Sequence, residues 1–171
     1  AILNQGEQTV RVSLLKKNLG DTPEKILLQS LQQLEFQFMD GIEQITLTEK
    51  KNIAILTSNE TSKNIVLADL IQSLQSYYEV ASFDLNADGI DGAKTLQNLN
   101  RFALLLISNP KKSFSTDKKF ILDQYQLQGG AILWLIDPLK MDESLLMNSE
   151  EGAPIEQNKL GLEDYFFNQG I

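Results

Sequence analysis

The side chains best suited to chemistry stand just after short apolar runs. Ser58, Asn59 and Glu60 follow Ile53-Ala54-Ile55-Leu56, Asn109 and Lys111 follow residues 102–107, and Asp137 follows residues 131–136. Ser58 with Lys111 has the composition of a serine–lysine dyad, and Glu60 with Asp137 that of a paired-carboxylate site. The chain contains no His and no Cys. That excludes Ser-His-Asp and Cys-His catalysis, HExxH sites, zinc ribbons, iron–sulfur clusters, disulfides and thiol nucleophiles. Ser58 therefore has no histidine base, and it lies in no G-x-S-x-G elbow. Glu60 and Asp137 read equally well as a helix-start acid and a strand-end cap. The six residues are candidates for a binding cleft, and no catalytic residue is expected.

Two further chemistries have partial patterns. Asp84-Leu85-Asn86-Ala87-Asp88-Gly89 begins like a calcium loop, with oxygen ligands at positions 1, 3 and 5 (Asp84, Asn86, Asp88) and a turn glycine. The bidentate acid expected at position 12 is replaced by Thr95, the hydrophobic anchor comes one residue early at Ile90, and a strand precedes the loop. The stretch is expected to be a polar turn without metal. Phosphate cradling needs glycines that admit backbone N–H groups to the anion. The turn 57–61 has none, and neither G-x-G-x-x-G nor G-x-x-x-x-G-K-[ST] occurs. No cofactor is expected.

Charge narrows the partners. Fifteen Lys and Arg against 23 Asp and Glu give a net charge of −8. The two arginines are Arg11 and Arg101, and the lysine pairs at 16/17, 50/51, 111/112 and 118/119 are scattered among acids. Nucleic acid and anionic membrane surfaces both require clustered cations, so neither is an expected partner. No segment has the roughly 18 apolar residues of a membrane-spanning helix. The chain starts without Met and reads as an excised segment of a longer protein.

The elements that position these residues follow from periodicity. Residues 10–15 read as a strand. Gly20-Asp21-Thr22-Pro23-Glu24 announces a helix with a cap, a proline at its first position and an early acid. Leu27, Leu31, Leu34, Phe38, Ile42 and Ile45 continue one stripe to about Thr46, a single long helix expected to pack on two surfaces of its own domain. From residue 49 the rhythm changes. Apolar runs at 53–56, 102–107 and 131–136, and a strand at 80–85, alternate with a helix from Ser62 or Asn64 to Tyr78, a turn near 94–98, and a helix capped by Ser115 and stopped by Gly129-Gly130. Short helices are expected near 142–147 and 160–168. This is the signature of an open, mostly parallel α/β sheet, with 1–48 appended to a core at 49–171. Ligands of such sheets bind beyond the carboxyl ends of the strands, where the residues above are expected.

One combination is more specific. Phe114-Ser115, Asp123-Gln124-Tyr125, Gly129-Gly130 and Leu133-Trp134-Leu135-Ile136-Asp137, with Ser144-Leu145 and residues 160–167 downstream and Leu34-Glu35-Phe36, Ala68-Asp69-Leu70 and Tyr77-Tyr78 upstream, resembles the GldG family. Its members are gliding-motility-associated auxiliary components of ABC transporters. The resemblance implies a flavodoxin-like or glutamine-amidotransferase-like three-layer sandwich that is not an enzyme. It implies permease and ATPase partners, anchoring by transmembrane helices outside this segment, and the periplasmic face of the inner membrane. It also implies a further strand after Ile171. Family members often carry G-x-G-[EQ] where this chain has Ser58-Asn59-Glu60-Thr61. The resulting expectation is a non-catalytic interaction domain, and the alternative is a small-ligand or glycan sensor using the cleft.

Overall fold

The computed structural model describes residues 1–15, 20–63, 65–87, 91–141 and 154–171. They form two units, Ala1–Lys50 and Lys51–Ile171.

The first unit opens with a hairpin of β1 (Ile2–Gln5) and β2 (Gln8–Arg11), paired antiparallel with Gln5 opposite Gln8. A two-residue turn needs positive φ, which Gly6 supplies at +61°. The Ala1 ammonium donates to the Val12 carbonyl (2.7 Å), closing the open end. Where the sequence suggested one strand at 10–15, the structure has a hairpin ending at Arg11. Helix α1 (Pro23–Gln32) starts as expected, with Thr22 Oγ1 accepting from the Lys25 N–H. The expected single helix is two, because Gln33 leaves helical geometry (φ −100°, ψ 1°) before α2 (Leu34–Thr46). The hairpin lies against α2 at Gly41. A Cβ there would come within 2.5 Å of Val12 Cγ2 and 2.9 Å of Leu3 Cδ1, so no side chain fits without displacement. Val12 and Ile45 are buried. The second expected packing surface does not appear in this unit: Leu27, Leu28, Leu31, Phe36 and Met39 are between 56 and 65% exposed.

The second unit runs β3 (Lys51–Leu56), α3 (Ala68–Gln75), β4 (Tyr78–Phe83), α4 (Gly92–Leu99), β5 (Leu104–Ser108), α5 (Thr116–Leu127), β6 (Ala131–Leu135), β7 (Leu139–Met141), β8 (Ile155–Gln157) and α6 (Glu163–Asn168). Strands β4-β3-β5-β6 form one parallel sheet flanked by helices, the α/β sandwich expected. Helix α3 is shorter than the sequence suggested, and Tyr78 belongs to β4. The expected helix near 142–147 lies outside the described residues. Strands β7 and β8, which the sequence did not suggest, form a separate two-stranded ladder.

Apolar runs fill the middle of the sheet. Ala54 and Leu56 of β3 and Leu105 and Ile107 of β5 pack with Leu99, Leu122 and Tyr125 from the helices. Tyr125 donates its hydroxyl to the Phe102 carbonyl (2.9 Å). A Cβ on Gly130 would stand 2.2 Å from the Tyr125 ring, which explains the second glycine after α5, while Gly129 takes the left-handed turn at φ +93°. The apolar run 131–136, which reads as another buried strand, is buried on one face alone. As β6 it is the last strand of the sheet, and Ile132 and Trp134 join the core while Leu133 and Leu135 stay exposed. Trp134 packs edge-on against Phe114, Tyr165 and Phe166, with centroids 5.3–5.8 Å apart, docking α6 on the sheet.

Candidate functional site

The strand order places a switch point between β3 and β5. The connection after β3 leads to β4 on one side, and the chain then returns across β3 to β5. In such sheets the loops after the strands on either side of a switch point are where ligands bind. Ser58, Asn59 and Glu60 follow β3; Asn109 and Lys111 follow β5. All three non-glycine residues with positive φ among the described residues are here: Asn59 (61°), Glu60 (51°) and Asn109 (46°). The left-handed region costs an ordinary L residue roughly 1–2 kcal/mol, with Asn among the more tolerant. The backbone therefore keeps a turn suited to glycine where glycine has been replaced.

Asn59 accounts for how that turn is held. Its Nδ2 donates to the carbonyls of Lys112 (3.2 Å) and Ser113 (2.7 Å), and its own carbonyl accepts from the N–H groups of Lys111 (3.0 Å) and Lys112 (3.1 Å). Its Oδ1 accepts from Lys118 Nζ at 2.9 Å. Burial lowers the Lys118 pKa from its ordinary value, opposed by the nearby Asp84 carboxylate. Asn59 is thus a buried clasp joining the β3 and β5 loops to the first turn of α5, with its polar atoms engaged by protein.

The other candidates have local duties. Ser58 is buried and its Oγ accepts from the Leu85 N–H (3.3 Å), tying the turn to the end of β4. Among the described residues it makes no hydrogen bond to Lys111, so the dyad is not assembled. Glu60 forms an exposed ion pair with Lys112 at 2.8 Å, and the Asp137 carboxylate accepts from the Leu139 N–H (3.1 Å) in a turn into β7. The two acids are engaged separately rather than as a pair. Asn109 donates its N–H to the Leu135 carbonyl (2.7 Å), while its Oδ1 is buried with no partner among the described residues. Among the described residues it is the one buried side-chain polar atom of the six without a partner.

After β4, Asp84 Oδ1 accepts from the Asn86 N–H (2.7 Å) in a polar turn. Asp88 lies outside the described residues. Among the described residues no group of three acidic side chains could hold a metal.

Sequence reasoning missed two parts of this region. Lys118 stands out in the sequence only as one of the lysine pair 118/119. The second is Asn158, whose Nδ2 donates to the carbonyls of Pro110 (3.0 Å) and Asp137 (3.1 Å), joining the segments after β5, β6 and β8. The paired lysines of the sequence were the only hint of the first, and nothing signalled the second. A hollow of about 840 Å3 between the first turns of α4 and α5, lined by Leu85, Leu96, Lys118 and Ile121 among others, adjoins this region, since Lys118 bonds Asn59 and Leu85 bonds Ser58. No helix among the described residues is long and apolar enough to cross a membrane.

Residues 50–171 match the family model described as an ABC-type uncharacterized transport system, an auxiliary component of such systems. No curated protein matches the chain.

Proposed function

The chain belongs to the ABC-type uncharacterized transport system family of auxiliary components, and from that premise we propose that it is a non-catalytic, extracytoplasmic interaction domain. It acts as a GldG-like auxiliary subunit, linked to gliding motility or to export. It works on the periplasmic face of the inner membrane, held there by transmembrane helices outside this segment. Its direct contact is the permease, through which it is coupled to the ATPase.

The observation that carries the interaction role is the uncovered apolar face of α1 and α2. Leu27, Leu28, Leu31, Phe36 and Met39 are each more than half exposed. Large apolar side chains exposed together on two successive helices mark a surface that another protein covers. The switch point supports the absence of catalysis, because Asn59, Ser58, Glu60 and Asp137 are each bonded to neighbouring protein groups. A photo-crosslinker at Leu31 or Phe36 of the protein in its native membrane tests this. A product with the permease is expected, and labelling of no permease component overturns the reading.

A further inference from the structure

Beyond the carboxyl ends of β5 and β6, beside the β7–β8 ladder, lies a pocket of about 500 Å3. It is lined by Lys111, Lys140, Glu156, Gln157, Asn158 and Lys159. Three lysines and one glutamate line it, a local excess of two positive charges in a chain of net charge −8. Among the described residues none of the three is ion-paired: the ion pairs Lys112–Glu60 and Lys119–Asp164 of the same unit engage other lysines. Glu156 stands opposite Lys140 in the ladder but does not close an ion pair with it. Clustered cations repel one another, and an anion placed among them relieves that repulsion.

The backbone carrying these side chains is pinned. Asn158 is held by its bonds to Pro110, Asp137 and, through its N–H, the Pro138 carbonyl (2.9 Å). The Lys111 N–H donates to the Asn59 carbonyl, and Leu160, next to Lys159, is buried with its carbonyl accepting from Phe114. The lysine stems thus rise from a fixed frame at the end of the sheet where α/β proteins take ligands. An ammonium ion acts on a phosphate as a point charge, and the side-chain amide of Gln157 can add neutral hydrogen bonds.

We propose that this pocket binds a dianionic oxyanion group, a phosphate monoester, whose two charges match the local excess. The inference is independent of the transporter partnership. The test is a titration of the isotope-labelled chain with inorganic phosphate, and separately with sulfate, in a chloride buffer of low ionic strength. Saturable amide shifts are expected at Lys111, Lys140 and residues 156–159. Affinity is expected to fall about tenfold or more in the double variant Lys140→Gln/Lys159→Gln and to be unchanged in Lys94→Gln. The substituted lysines are exposed, and retained Trp134 fluorescence would verify that the variants fold. Shifts that never saturate, or a double variant that binds as tightly as the parent, overturn the proposal. A second arm with vesicles containing phosphatidic acid identifies the source. Co-sedimentation that the double variant loses assigns the monoester to a lipid headgroup, and phosphate saturation without co-sedimentation assigns it to a soluble ester.

Discussion

Asn59 shows how one residue can hold a switch point closed. It satisfies two carbonyls of the β5 loop and the ammonium of Lys118, which is 59 positions away. Replacement by Ala removes all three bonds and leaves their partners without that bond. Each unmet buried group costs about 1–3 kcal/mol, and not all of these remain buried once the loops separate, so Asn59→Ala is expected to destabilise by about 2–4 kcal/mol in urea unfolding. A loss under 1 kcal/mol would mean that the clasp is incidental. Glu60 gives the opposite sign. It sits at φ 51° with an exposed ion pair to Lys112 as its only gain, and such pairs contribute little. Glu60→Gly relieves the left-handed strain at some cost in unfolded-chain entropy, and a net gain of about 0.5–1 kcal/mol is expected by the same assay. The location of this site was legible in the sequence, because strand ends in an open parallel sheet are ligand positions whatever the residues. Its bonding was not: the partners of Asn59 lie more than fifty residues on, and no periodicity encodes such contacts.

Among the elements, those with local signals were read correctly and those set by tertiary context were not. Helix α5 begins at its Ser115 cap and ends before Gly129-Gly130 as its residues dictate. The hairpin β1–β2 is largely polar, through Asn4, Gln5, Gln8 and Thr9, so no alternation announced it. The break at Gln33 carries neither Gly nor Pro, and the three-residue strands β7 and β8 are too short to show a pattern. Helix α6 illustrates what packing adds. Burial of Tyr165 beneath Trp134, with the Asp123 charge as a smaller influence, pushes its phenol up to about 12. A group whose folded pKa is raised contributes stability that is complete below its unfolded pKa, near 10, and lost as pH rises through its folded one. The α6 packing is therefore expected to weaken between about pH 10 and 12, with a slope approaching 1.4 kcal/mol per pH unit from this residue. Tyr125, raised by burial, adds to the loss, whereas Lys118, lowered by burial, acts in the opposite sense. Trp134, the sole tryptophan, reports directly on α6. Tyr165→Phe forfeits the hydroxyl bond to Gln126, worth about 1 kcal/mol at neutral pH, but its urea midpoint should fall less steeply across that window. An unchanged slope would place the alkaline transition elsewhere.

At the scale of the whole molecule, the feature that the sequence could not distinguish is which apolar run ends the sheet. Residues 53–56 and 131–136 have the same composition class, yet the first is central and the second is an edge. Natural edge strands are usually guarded by charge, proline or a bulge. Residues 129–136, Gly-Gly-Ala-Ile-Leu-Trp-Leu-Ile, contain no charge and no proline, and β6 pairs on one side alone among the described strands. What opposes edge-to-edge pairing of two copies is then the net charge of −8, a long-range repulsion that vanishes near the isoelectric point of about 4.6. The chain is expected to sediment as a monomer at neutral pH and low salt, and to self-associate as pH falls towards 4.6. Leu133→Lys puts an ammonium on the exposed face of that edge, where a pairing strand would bring its own copy close by. It should suppress the association, whereas Gln72→Lys, the same change of charge on α3, should only shift the pH at which association begins. If the two variants behave alike, net charge alone governs the association and β6 takes no part in it. If Leu133→Lys alone stays monomeric, the uncharged edge is the contact. The same edge would then be the place where this sheet accepts a further strand in its assembled state.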